Sequence, residues 1–600
     1  MTMTRFAPAP RGLRENLGGI GPSARWLLCA LVPLALVACD GDDETTSTSG
    51  TTTTTATTTA TDTRTDTGTG TDTTGDGGAG GGTGGGGTGG EGGGTAEAVY
   101  KNPVLPGDFP DPSVIRVGDE YWATATTSEW APHFPILHST DLVNWELVGT
   151  IFPEMPSWAV GNFWAPEISE DNGTYYVYYT AREAGGSLCV AVATAADPAG
   201  PYEDHGPLIC QPVGSIDGFP IRDENGTRYL LWKEDGNSVG LPTPIWAQEL
   251  SEDGTEFAVG TTPTILFQNE PSWEANLVEG PFVLKHGNYF YNFYSGAGCC
   301  TKNCSYALGV ARATSLLGPW EKNPANPILP GNDTWKCPGH GSIVTSPDGR
   351  YYLLYHAYSS EDSVYVGRQG LLDEVVFGAD DWPTINGGNG PSESAPYPIA
   401  PQEPLATEIM DDFTGAELGL RWQWPVGIEP EVTFDPAGGG WLVLDAMPEA
   451  AGNQVGAVVA RPTMKGDYEV STQVEPDAGV LAGLAAYGDA MNALGVSVGD
   501  GEVMLWRLGA GMSQVLATES APESLYLKMT ASNGHVYEFA TSTDGATWMP
   551  LGSAVDSMDT DPDLPPWDRG VRAALFAKGQ QGNDVARFGF FRMTLPAQAP

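Results

Sequence analysis

Positive charge is scarce in this 600-residue chain. Twenty-eight lysines and arginines stand against 75 aspartates and glutamates, for a net charge of −47. Such a surface repels phosphate backbones and anionic headgroups, which sets nucleic acid aside and leaves neutral ligands such as sugars. No long amphipathic helix interrupts the body of the chain, which argues against an α or α/β fold. Cysteine is also sparse. Six remain beyond the N-terminal segment: Cys189, Cys210, Cys299, Cys300, Cys304 and Cys337. They lack paired CxxC spacing, which disfavours a zinc site. An even number outside the cytoplasm favours disulfides. Cys189–Cys210 flank one short segment and are the expected pair; the other four can pair in three ways, one of them a vicinal Cys299–Cys300 link.

The N-terminus is processing sequence rather than fold. Arg5, Arg11, Arg14 and Arg25 precede an apolar run of 13 residues, Trp26–Ala38. That is too short to span a bilayer but suits a signal peptide. It ends Leu36-Val37-Ala38-Cys39, which resembles the lipobox of bacterial lipoproteins. Residues 1–39 are therefore expected to be a signal peptide with Cys39 as the lipid-bearing residue. The expected location is the bacterial cell envelope, facing outside the cytoplasm, or secretion; any membrane contact would run through that lipid alone. Residues 40–98 are Thr, Asp and Gly with almost nothing apolar to bury, a flexible tether.

A repeat follows. A polar turn and then aromatics recur five times, at Gly118-Asp-Glu-Tyr121, Asn172-Gly-Thr-Tyr175, Asn225-Gly-Thr-Arg-Tyr229, His286-Gly-Asn-Tyr289 and Asp348-Gly-Arg-Tyr351. The tyrosines are 54, 54, 60 and 62 residues apart. Asn-Gly and Asp-Gly are hairpin turns, and the alternating residues after them read as strands. One strand before each turn and three from the turn onward make four-stranded units, the blades of a β-propeller over residues 99–400.

Before each turn stands one ionisable group: Asp111, Glu167, Asp217, Glu279 and His340. In a propeller the first strand of a blade lines the central channel, so the five should converge at one end of the axis. Buried charge is costly, and four carboxyls with a histidine in one funnel call for a function. Glycoside hydrolysis needs one carboxylic acid and one carboxylate, and a third carboxylate can raise the acid's pKa. A metal site is the rival use of such a ring. Trp130 and Phe134 follow the first turn and could form an aromatic wall for a sugar, or pack between blades.

The segments NPVLPGDFPDPSVIRVGDEYW, HSTDLVNWELVG, FWAPEI, SIDGFPIRDENGTRYLLWK, LVEGPF and WKCPGHGSIV resemble glycoside hydrolase family 43, over residues 102–389. That resemblance implies a five-bladed, inverting enzyme. It implies Asp111 as general base, Glu279 as general acid and Asp217 as the residue tuning the acid. Trp164 and Glu167 would line the channel against sugar, and Arg368 would bind substrate. No cofactor is required; His340 matches a position that faces a calcium or a water cluster. Gly218 replaces the family's usual Pro or Ala, and WAPE replaces WAPD.

After a Pro-rich stretch, residues 406–600 read as a second all-β domain, a β-sandwich. DDFTGAELGLRWQW and ARFGFFRM resemble the concanavalin-like domain of family 43 xylosidases and arabinosidases, which packs on the propeller and can shape the pocket. Trp422, Trp424 and Trp506 could bind polysaccharide or fill the core. The implied activity is release of terminal arabinofuranosyl or xylosyl units, because an appended sandwich can close a subsite. An endo-arabinanase and a glycan-binding surface lectin are the alternatives.

Overall fold

The polar turns organise the first domain. In the computed structural model, residues 98–596 are described apart from 271, 301, 401–407, 437–438, 523, 560–569 and 581–583. The expected signal peptide, Cys39 and all but the last residue of the expected Thr/Gly-rich tether lie outside them. Asp171 pairs with Thr174 across Asn172-Gly173, and His286 with Tyr289 across Gly287-Asn288. Asn172 and Gly173 both have positive φ, the conformation that turns a hairpin without splaying its strands. The repeated tyrosines open or nearly open the second strand of each unit.

Five antiparallel four-stranded sheets result. Their first strands are Ser113–Val117, Trp164–Asp171, Ser215–Arg222, Val278–His286 and Trp335–Thr345. Each first strand packs against the next, and the fifth packs against the first, so the sheets close into a ring. This is a five-bladed β-propeller. Hydroxyls stitch the seams. Ser342 Oγ accepts from Val114 N (2.7 Å), Ser113 Oγ from Ile168 N (3.1 Å), and Thr243 Oγ1 from Val278 N (2.8 Å). The ends of the ring are tied by Val99–Lys101 pairing with Ser394–Pro396.

The second domain is a β-sandwich with a nine-stranded sheet facing a six-stranded one. Alternate residues such as Leu442, Leu444, Leu527, Met529 and Phe588 from one sheet, and Val459, Leu484, Val496 and Leu575 from the other, are fully buried between them. Trp422 is part of this core, edge-on to Phe591 at 5.0 Å. Trp424 lies at the junction with the propeller, where Trp424–Pro425 pairs with Trp130–Ala131. Trp506 is half-buried against Phe576.

The junction is polar as well as apolar. Arg572 of the sandwich is 2% exposed. It reaches Asp108 Oδ2 at 3.0 Å, and its guanidinium lies 5.0 Å from the Trp130 ring centre. The six described cysteines form three disulfides: Cys189–Cys210, the vicinal Cys299–Cys300, and Cys304–Cys337. Among the described residues no helix is long and apolar enough to cross a membrane.

Candidate active site

One backbone device recurs on all five inner segments. Asp111, Ala165, Asp217, Gly280 and His340 each have positive φ, between 40° and 60°. In four blades this residue sits in a bulge where pairing with the second strand slips, after Trp164, Ile216, Glu279 and Gly339; Asp111 precedes its strand. A left-handed L-residue costs about 1–3 kcal/mol and takes its amide out of the ladder.

Each displaced amide is recovered from the blade before it. His356 Nδ1 accepts from Asp111 N (3.1 Å), Thr126 Oγ1 from Ala165 N (2.7 Å) and Thr180 Oγ1 from Asp217 N (3.2 Å). Asp217 Oδ2 accepts from Gly280 N (2.9 Å), and Ser295 Oγ from His340 N (2.8 Å). The chain of acceptors runs once around the ring. It also corrects the equivalence expected from sequence. Asp111, Asp217 and His340 share the left-handed position, whereas Glu279 stands one residue before it and Glu167 two after. Gly280 holds the position in blade four because a Cβ there would meet the His340 ring at 2.9 Å.

Asp111 is buried beside one guanidinium and two imidazoles. Its Oδ1 pairs with Arg368 Nη1 at 2.8 Å and lies 3.4 Å from His340 Nδ1; Thr126 donates to Oδ2 at 2.7 Å. Burial alone would raise its pKa, but Arg368 and His340 hold it well below the usual carboxylate range. His356 is neutral because burial, with Arg368 beside it, pushes its pKa down to about 4. A neutral ring accepting the Asp111 amide at Nδ1 cannot also donate from that nitrogen. Its 3.2 Å approach to Oδ1 is therefore contact rather than an ion pair.

Glu279 is held on both oxygens. Lys233 Nζ is 2.8 Å from Oε2, and the Tyr306 hydroxyl donates to Oε1 at 2.7 Å. Burial would raise its pKa, yet Lys233 and Tyr306 bring it down. Asp217 moves the other way, pushed up to about 6 by burial and by the negative charge of Glu279. Two enclosed carboxyls beside one ammonium favour a single shared proton. Of the two, Asp217 is the more readily protonated. The Tyr306 ring lies parallel to that of His356, with centres 5.8 Å apart. The cradle of Glu279 thus abuts the cradle of Asp111. Cys304–Cys337 ties the segment carrying Tyr306 to the strand carrying His340.

Glu167 is enclosed near Ser113, and burial pushes its pKa up to about 8, so it carries a proton at neutral pH. Trp164 opens the same strand and is half-buried. Arg368, expected against substrate, pairs with Asp111. The aromatic wall is a correction. Phe134 is fully buried among Phe152, Phe163 and Tyr179, and Trp130 lies beneath the sandwich against Tyr487. Both are packing residues, since neither presents a face to a ligand. Among the described residues no set of three metal-ligand side chains gathers around His340; the one such group is Glu183 with Cys189 and Cys210, whose sulfurs are bonded to each other.

Lys233, Tyr306, His356 and Thr126 went unnoticed in sequence. Lys233 carried a signal: it is the one charge within the apolar second-strand run Leu230-Leu231-Trp232-Lys233.

Residues 100–383 match the glycosyl hydrolases family 43, and residues 410–594 match the β-xylosidase C-terminal concanavalin A-like domain. The chain is 30% identical over 382 residues to a xylosidase/arabinosidase of Butyrivibrio fibrisolvens, spanning 59% of this chain and 70% of that protein. The chain belongs to glycosyl hydrolase family 43. It is also 29% identical over 347 residues to the non-reducing end α-L-arabinofuranosidase BoGH43B of Bacteroides ovatus, covering 54% of this chain and 61% of that one. The crystal structure of the family 43 protein BlXynB from Bacillus licheniformis superposes with a TM-score of 0.72 at 27% identity, over 83% of this chain and all of the other. The protein is thus a glycosyl hydrolase, with the family's propeller and its concanavalin-like partner domain.

Proposed function

We propose that this family 43 enzyme is an exo-acting, inverting glycosidase that releases terminal arabinofuranosyl or xylosyl units from plant-type polysaccharides or their oligosaccharides. One observation carries the reading: two carboxyls in adjoining cradles are held in opposite service. Asp111 is kept ionised by Arg368, ready to take a proton. Glu279 is held by Lys233 and Tyr306 and is flanked by Asp217, which binds the amide of the next residue, Gly280, and whose negative charge favours a proton on its neighbour.

In the reaction, a water on one face of the sugar attacks the anomeric carbon and gives its proton to Asp111. The bond to the leaving oxygen breaks as Glu279 protonates that oxygen. The configuration inverts, because no covalent sugar–enzyme bond forms. Asp217 supports the acid by keeping negative charge beside it and by fixing Gly280 next to it. Protonated Glu167 can donate to a sugar hydroxyl, with Trp164 alongside. Three disulfides and the Leu36–Cys39 sequence support a place outside the cytoplasm, lipid-anchored in the envelope or secreted.

The test is a substrate panel followed by proton NMR. Aryl arabinofuranoside, aryl xyloside and debranched arabinan are offered, and the anomer first released is recorded. Release of a terminal pentose with inverted configuration is expected. Internal cleavage of arabinan would instead make it an endo-enzyme. Tight glycan binding without any release would make it a lectin.

A further inference from the structure

Lys233 stands between two carboxylates. It lies on the second strand of blade three and is 1% exposed. Its ammonium is 2.8 Å from Glu279 Oε2 and 2.9 Å from Asp235 Oδ1. A buried ammonium needs anionic partners, and either carboxylate can serve. Glu279 has a stricter requirement. With Lys233 and Tyr306 both donating to it, it is a carboxylate, the state that follows proton transfer. An acid carries a proton on one oxygen, and an ammonium, which has no lone pair, cannot accept it. A proton arriving on Oε2, the oxygen Lys233 holds, therefore requires Lys233 to slacken, and Asp235 is already in place to receive it, whereas a proton on Oε1 would only turn Tyr306 from donor to acceptor.

We propose that Lys233 is a positioning residue that gates the acid: turned to Asp235 it lets Glu279 be protonated, and turned to Glu279 it draws the proton off toward the leaving oxygen. The proposal rests on Glu279 being the general acid. The proton leaves Glu279 for the glycosidic oxygen as its bond to the anomeric carbon breaks, and Lys233 meets the charge that develops on Glu279. The other groups facing Glu279 are Asp217 from blade three, Tyr306 from blade four and His340 from blade five. His340 also approaches Asp111 Oδ1, at 3.4 Å, but Lys233 is the group held within 2.9 Å by two carboxylates.

Two substitutions should then act in opposite directions. The alkaline limb of kcat/KM marks loss of the acid's proton. Lys233→Met removes the charge that favours ionised Glu279, so this limb should move to higher pH, by roughly one to three units. Asp235→Asn removes the alternative partner and commits Lys233 to Glu279, so the limb should move to lower pH. Lys233→Arg keeps the charge and should stay near wild type. Opposite shifts support the gate; no shift, or shifts of the same sign, overturn it. If Lys233→Met does not fold, Asp235→Asn with Lys233→Arg carries the comparison.

Glu279→Gln, assayed on aryl glycosides with acidic and with weakly acidic phenols, separates the underlying reading. If Glu279 is the acid, the loss grows as the leaving phenol becomes less acidic. A loss independent of the phenol removes Glu279 from that role. A graded loss with unmoved limbs overturns the Lys233 gate alone.

Discussion

Replacing Arg368 by methionine separates two roles that sequence and structure assign to it. The family resemblance puts Arg368 on the substrate; the geometry puts it 2.8 Å from Asp111 Oδ1, with both side chains 8% exposed. An opposite charge this close lowers a carboxyl pKa by roughly one to three units, each unit worth about 1.4 kcal/mol. Without Arg368, Asp111 keeps Thr126, His340 and a neutral His356, and its proton affinity rises. Asp111 must be ionised to act as base, so the acidic limb of kcat/KM should move to higher pH by roughly one to three units. Stability should fall as well, by about 3–5 kcal/mol at pH 7, because a buried charge is left unpaired. Since the folded-state pKa of Asp111 is depressed, the pair stabilises fully above the unfolded value near about 4 and progressively less below it. The stability gap between wild type and variant should therefore narrow in acid. Steady-state kinetics on an aryl pentoside across pH, with urea unfolding at pH 7 and at pH 3.5, reads both effects. A raised KM with an unmoved acidic limb would refute the reasoning and return Arg368 to the sugar.

Three other outcomes follow from the site and its frame. Glu167→Gln should leave kcat/KM nearly unchanged below about pH 8, because the native side chain is already protonated there, whereas Glu167→Ala should raise KM; both are read by Michaelis kinetics at pH 6.5. Trp130→Ala should destabilise the protein by about 3–5 kcal/mol in chemical unfolding, with KM unchanged when measured below the unfolding range, since the ring packs under the sandwich rather than against sugar. Replacing Cys189 and Cys210 together by alanine should cost about 2–4 kcal/mol in thermal unfolding under oxidising conditions, and a reductant should bring wild type toward the variant.

The propeller was legible because its periodicity survives in local chemistry. Each hairpin needs a turn residue of positive φ and an aromatic start to the second strand, and both are written in the chain five times. The three carboxylates were legible for the same reason. Their exact relation was not, because a bulge adds a residue without leaving a mark in the alternation, so Glu279 and Glu167 fall out of step with Asp111 and Asp217. Trp130 illustrates a different limit: an aromatic beside a turn reads alike whether it meets a sugar or another domain, and the sandwich that covers it begins some 280 residues later. Arg368 and Lys233 depend on partners far away in sequence, which the spacing of one strand does not encode.

The circle of amide acceptors separates the shape of the ring from its chemistry. At each station the backbone is fixed by a side chain of the preceding blade, so the residue at the station is not needed to hold its own conformation. Asp111, Asp217 and His340 use that freedom to present a reactive group, and Gly280 uses it to make room. Ala165 occupies the fifth station with a methyl group, its amide already bound by Thr126. An acidic or basic side chain introduced there would inherit a formed backbone and an inward aim. For descent and for design alike, such a fold can exchange reactive groups one station at a time while the scaffold stays still.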